Sequence, residues 1–100
     1  MLLFNVTVII EEGSATDWLQ WVQESHIPQL MDKECFVSHR LLKIVDSPNE
    51  GLSYCIQFIA EDEARHQTFL DLHEQLFIAE MYNRYPNKLV TFSTLMEFVG

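Results

Sequence analysis

Four histidines, at positions 26, 39, 66 and 73, and the carboxylate Glu80 carry the clearest capacity for acid–base or metal chemistry in this 100-residue sequence. His66 and His73 stand seven apart, about 10 Å along a helix, too far to chelate one ion together. The sequence holds no His-x3-His pair and no Cys-x2-Cys pair. A zinc site would need distant residues to converge, so no metal and no cofactor are expected. His26 and His73 fall on apolar helical arcs, and Glu80 shares the His73 stripe, which permits a His–carboxylate pair able to move protons. The competing reading is a structural histidine, hydrogen-bonded to backbone or to Glu80 between helix and sheet. Cys35 and Cys55 have no neighbour that would lower a thiol pKa, and no nucleophilic triad is visible.

These residues are positioned by six elements. Residues 2–11 alternate, with Leu2, Phe4, Val6, Val8 and Ile10 on one face and Leu3, Asn5, Thr7 and Ile9 on the other, so they read as a strand. A helix is expected from Ser14 to Met31, its arc holding Ala15, Trp18, Leu19, Val22 and Leu30, with His26 near the middle. Ser14 is its expected N-cap, with Asp17 at the capping-box spacing, and Pro28 should kink or restart it. Two β-rich runs, 36–45 and 52–60, flank the turn-forming segment Asp46 to Gly51 and form a hairpin. A second helix, Glu61 to Tyr85, places Phe69, Leu72, Leu76, Phe77 and Ala79 inward. The last strand spans 88–99.

Composition narrows the class. The 48% hydrophobic and 12% aromatic content excludes a disordered chain, and the length suits a single domain, residues 1–100. A formal charge of −9 with six scattered Lys and Arg disfavours nucleic acid and anionic membrane surfaces. No stretch approaches the roughly 20 apolar residues of a membrane span. MLLFNVTVII lacks the basic start and cleavage site of a signal peptide, so the chain reads as cytoplasmic. Folding the hairpin about residue 49 sets Cys55 opposite 42 or 43, about 20 Å from Cys35, so two reduced thiols are expected.

The order β-α-β-β-α-β is the split, ferredoxin-like α+β arrangement. Right-handed crossovers put both helices on one face of a four-stranded antiparallel sheet of order 4-1-3-2. The other face should carry Asn5, Thr7, Gln57, Thr91 and Ser93 among Leu3, Ile9, Ile59 and Leu95, and either His39 or Arg40 should join them. Hairpin parity decides between the two, since a one-residue slip flips the strand. Such a mixed face suits a covering partner, most simply a second copy by two-fold symmetry; a solvated face is the alternative.

The pattern Trp18-x-x-Trp21-Val22-x-x-x-His26-Ile27-Pro28, with Arg40-Leu41-Leu42 and Tyr54-x-x-Gln57, resembles a family of small bacterial proteins known only as a domain of unknown function. That family spans essentially the whole chain and is similar to the dimeric α/β-barrel superfamily, in which two sheets enclose a cleft. The resemblance implies a homodimer and brings no activity of its own. The expected function is binding of a small molecule or protein partner, with Asn5, Thr7, Arg40 or His39, Gln57, Thr91 and Ser93 as cleft residues. Two alternatives stand beside it: a cofactor-independent oxygenase or isomerase of the superfamily's kind, and a purely structural oligomerisation module.

Overall fold

The computed structural model describes residues 1–48 and 50–100; Asn49, the expected hinge of the hairpin, lies outside them. Strand β1 (Leu2–Ile10) leads into α1 (Glu12–Trp21), a π-helical turn (Val22–His26) and α2 (Ile27–Met31). Strands β2 (Ser38–Lys43) and β3 (Leu52–Ala60) follow, then α3 (Glu63–Leu72), α4 (Glu74–Arg84) and β4 (Leu89–Glu97). The four strands pair antiparallel in the order β2-β3-β1-β4, the expected 4-1-3-2, and the helices pack on one face. The architecture is a ferredoxin-like α+β fold.

The alternation of β1 and β3 builds the core. Phe4, Val6, Val8, Ile10, Ile56 and Phe58 turn inward against Trp18, Val22, Phe69, Phe77 and Met81. Phe4, Phe36, Phe58, Phe69 and Phe77 form one aromatic cluster with ring centroids 4.9–6.4 Å apart, in stacked, tilted and edge-on contacts. Burying each such ring contributes about 2 kcal/mol.

The first helix departs from expectation at two points. It starts at Glu12 rather than after Ser14, because the Glu11 N–H bonds the Lys88 carbonyl at 2.8 Å and fixes the chain where β1 ends. Ser14 therefore sits in the first turn, its N–H on the Glu11 carbonyl at 3.0 Å, and does not cap. The Asp17 carboxylate instead accepts the Tyr85 hydroxyl at 2.6 Å. The disturbance expected at Pro28 is a π-turn, in which the Ile27 N–H reaches back to the Val22 carbonyl. Pro28 has no N–H, and in a regular α-helix its ring would crowd the carbonyl four residues earlier; a widened preceding turn relieves that contact. The inward row then runs Ala15, Trp18, Val22, His26, Ile27, Leu30. Ser25 and Gln29, which an uninterrupted helix would carry toward the core after Val22, lie outside it and hydrogen-bond to each other at 2.9 Å.

The second helix is two helices. Asp62 caps α3, accepting the Arg65 N–H at 2.8 Å, as its acidic start implies. The helix breaks at His73 (φ −130°, ψ −27°), although the His73 and Phe77 N–H groups still find their helical carbonyls. The row that meets the sheet is His66, Phe69, Phe77 and Met81. Leu72 and Leu76, expected inside, are 68% and 62% exposed because the buried row follows steps of four from Phe69. Among the described residues no helix is long and apolar enough to cross a membrane.

The hairpin register sets Leu42 opposite Cys55, as its turn length implies, and both cysteines are free thiols. Strand β2 is shorter than the expected 36–45, because Phe36 leaves the sheet to join the aromatic cluster and Val45 enters the turn. Gly51 closes the hairpin with φ +82°, and a Cβ there would stand 2.5 Å from the Ile10 carbonyl oxygen.

Candidate functional site

The register arranges the open face of the sheet, away from the helices, as cross-strand rows. One row is Ser38, Ile59, Leu3 and Met96; the next is Arg40, Gln57, Asn5 and Thr94. Then come Leu42, Cys55, Thr7 and Phe92, followed by Ser53, Ile9 and Val90. A polar row therefore crosses all four strands between rows richer in apolar side chains.

That row is knitted by directional hydrogen bonds. Arg40 Nε donates to Gln57 Oε1 at 2.6 Å, and Gln57 Nε2 donates to Asn5 Oδ1 at 3.2 Å. Asn5 Nδ2 donates to Thr7 Oγ1 at 3.0 Å, and Thr7 Oγ1 lies 3.6 Å from Cys55 Sγ. Each amide is thus oriented by its neighbours, and the chain has one polarity from the guanidinium to the Thr7 hydroxyl; in the contact between Thr7 and Cys55 either group can donate. Asn5 is only 7% exposed, so its partners matter; an unpaired buried amide costs about 1–3 kcal/mol. Among the described residues Arg40 has no carboxylate partner, which leaves its charge available to an anion.

Arg40, not His39, joins the open face; His39 is opposite Phe58 on the helix side, at an exposed edge. Thr91 and Ser93 are not on the open face either. They pair with Val8 and Val6, on the helix side, where Thr91 Oγ1 contacts the Tyr82 hydroxyl at 3.1 Å. The helices leave much of β4 uncovered, so Ser93 and Leu95 stay exposed and no buried stripe dictates the strand's parity. Its open-face residues are Val90, Phe92, Thr94 and Met96. Thr94 and Cys55 were not anticipated; Thr94 is found only through the pairing of β4 with β1.

The His–carboxylate pair exists, with His26 rather than His73 as its imidazole. His26 is 2% exposed, and its Nδ1 lies 3.2 Å from Glu80 Oε2. Its ring is sandwiched between Trp21, at 4.3 Å, and Phe77, at 4.1 Å, both nearly parallel. Burial lowers its pKa from 6.5 to about 4, against a smaller upward pull from the Phe77 backbone. The ring is therefore neutral near pH 7, and because a carboxylate only accepts, Nδ1 carries the proton. Arg84 stacks over the far ring system, its guanidinium carbon 5.1 Å from the Trp21 centroid. This pair lies on the helix side, separated from the polar row by the sheet. Burial also raises the Cys35 thiol, with Arg65 opposing, so that sulfur is not activated. Among the described residues no three His, Cys, Asp or Glu side chains converge as a metal-ligand set.

Solved structures share this fold at low sequence identity. HapK from Hahella chejuensis superposes with a TM-score of 0.71 at 15% identity, covering 100% of this chain and 94% of that one. A dimeric ferredoxin-like protein from an uncultured marine organism gives 0.74 at 10% identity, covering 99% and 94%. SnoaB from Streptomyces nogalater, a cofactor-independent oxygenase, gives 0.69 at 17% identity, again covering 99% and 94%. No curated protein matches the chain in sequence. The sequence model of one family matches residues 1–99, and the chain belongs to that family, described as Domain of unknown function (DUF4286).

Proposed function

We propose that residues 1–100 form one cytoplasmic domain that pairs with a second copy through the open sheet face and binds a small acidic molecule there. The observation that carries this reading is the hydrogen-bonded row Arg40–Gln57–Asn5–Thr7, which offers one unpaired cation and fixed amide groups. Around it Leu42, Val90, Phe92 and Met96 are exposed, Phe92 at 58%, an apolar border that a facing copy would cover. The similarity to a protein described as dimeric and ferredoxin-like supports the pairing.

Binding is preferred to catalysis for a chemical reason. The open-face rows of the four strands contain no imidazole and no carboxylate, the side chains that most often serve as general base. An oxygenase or isomerase reading, drawn from the printed description of SnoaB, would have to take its base from outside these rows. Native mass spectrometry at gentle activation tests the proposal. A dimer carrying extra small-molecule mass, lost in Arg40→Ala, supports it. Phe92→Asp should yield a folded monomer. A bare monomer of the unaltered chain removes the two-copy cleft.

A further inference from the structure

Two strands end the sheet, and they differ in how they guard its edges. Strand β2 has six residues and carries His39, Arg40 and Lys43; shortness and cationic side chains both discourage further strand pairing. Strand β4 has nine residues, LVTFSTLME, with no Pro, Lys or Arg and a single charge at Glu97. Its register with β1 runs unbroken from Leu89 to Glu97, so no bulge turns it away from a neighbour. The β4 edge is unguarded.

Backbone parity sets what that edge offers. The Glu11 N–H bonds the Lys88 carbonyl at 2.8 Å, and the Phe98 N–H bonds the Met1 carbonyl at 3.1 Å. Bonded pairs recur at every second residue of an antiparallel ladder, so Val90, Phe92, Thr94 and Met96 aim their backbone groups at β1. Thr91, Ser93, Leu95 and Glu97 aim theirs outward. Thr91 bears this out, because its N–H donates to the Tyr82 hydroxyl at 2.8 Å. Past Tyr82, among the described residues, nothing bonds the outward groups of Ser93, Leu95 and Glu97, and the side chains from Phe92 to Glu97 are all exposed. The free stretch is therefore centred on Leu95.

From these observations we infer that β4 is a self-pairing edge: β4 of a second copy adds antiparallel to it about a two-fold axis at Leu95, joining the two four-stranded sheets into one. The register follows from that centre. Leu95 meets the partner's Leu95 on the helix side, Thr94 meets the partner's Met96 on the open face, and Ser93 meets the partner's Glu97. Each carboxylate thus faces a hydroxyl, and no like charges stand opposite one another. The two Glu97 side chains lie about 13 Å apart along the strands, beyond the Debye length at physiological salt. For a chain of net charge −9, an edge this free of acids is where a second copy approaches at least electrostatic cost. Pairing β4 with the partner's β2 in one extended sheet is heterologous and propagates without closing, whereas the two-fold pairing closes at two copies. Both open faces then point the same way and stay free, so the inference goes beyond the two-copy cleft and does not rest on it.

Amide hydrogen exchange, followed by NMR on the ¹⁵N-labelled full chain, reads the edge directly. The N–H groups of Ser93, Leu95 and Glu97 should exchange at least about tenfold more slowly than unstructured amides. Pairing through the open faces makes no bond to these groups. Leu95→Lys and Leu95→Glu each set like charges opposite one another at the axis; each should lose that protection and halve the mass of the assembly in light scattering. Leu95 is 48% exposed and points to the helix side, so neither variant disturbs the core or the open-face rows. Mixing the two variants should restore both the protection and the mass. Three results overturn the inference: unprotected amides at Ser93, Leu95 and Glu97 in the unaltered protein, protection that survives in both single variants, or a mixture that stays at the reduced mass. If the cleft fails and the edge holds, the amides are protected in a two-copy assembly that Leu95→Lys splits into single chains. If the edge fails and the cleft holds, a two-copy assembly persists with these amides unprotected.

Discussion

Acid should weaken this fold through His26 before it does so through the carboxylates. The folded imidazole has its pKa lowered from 6.5 to about 4, so the unfolded chain takes up the proton first as pH falls. The contribution of the neutral ring is therefore intact above pH 6.5, declines as the pH drops toward 4, and is gone below that. At ~1.4 kcal/mol per pH unit the whole effect is about 3 kcal/mol, of which about 2 kcal/mol is gone by pH 5. Urea unfolding followed by circular dichroism at pH 7 and pH 5, on wild type and His26→Phe, isolates the contribution. Phenylalanine keeps the contacts with Trp21 and Phe77 but carries no proton, so the variant should lose about 2 kcal/mol less than wild type between the two pH values. Equal losses would refute the reasoning. A gain by wild type on acidification would show that the Glu80 ion pair, 3.2 Å away, outweighs desolvation.

Other perturbations read other parts of the structure. Gly51→Ala forces a side chain into φ +82° and against the Ile10 carbonyl, and should lower the urea-derived stability by about 2 kcal/mol. Tyr85→Phe removes the 2.6 Å bond to Asp17 and should cost about 1 kcal/mol in the same measurement. Gln57→Leu cuts the polar row twice, orphaning Asn5 Oδ1 and freeing Arg40. It should destabilise by about 1–2 kcal/mol and change ligand retention in native mass spectrometry. Equal retention would remove Gln57 from the site.

The sequence was most informative where burial imposes a period. In β1 and β3 one face is covered by helices, so Phe4, Val6, Val8 and Ile10 announce their orientation and, with it, that of Asn5 and Gln57. Strand β4 lacks that constraint: its helix-side residues Ser93 and Leu95 are exposed, both faces have similar character, and parity comes only from pairing with β1. The choice between His39 and Arg40 was open for the same reason at the opposite edge. The partner of Glu80 was legible only as a stripe on its own helix, which pointed to His73. The actual contact with His26 comes from another helix and depends on a turn that Pro28 hints at but does not specify.

That turn works as a phase correction. The stretch 12–31 contains two amphipathic segments whose apolar positions are out of step, Val22 to Ile27 being five apart where a regular helix needs three or four. The π-turn absorbs the one extra residue, cancelling the rotation of about 100° it would impose on everything after it, and so keeps the two stripes on a common line. Deleting Gln23 would give the spacing of an unbroken helix, with Ile27 and Leu30 still inward relative to Val22. The same deletion would reduce the room around His26 and return the Pro28 ring to its clash. The extra residue is thus dispensable for the apolar seam, and its distinctive effect is to seat an imidazole between two aromatic rings.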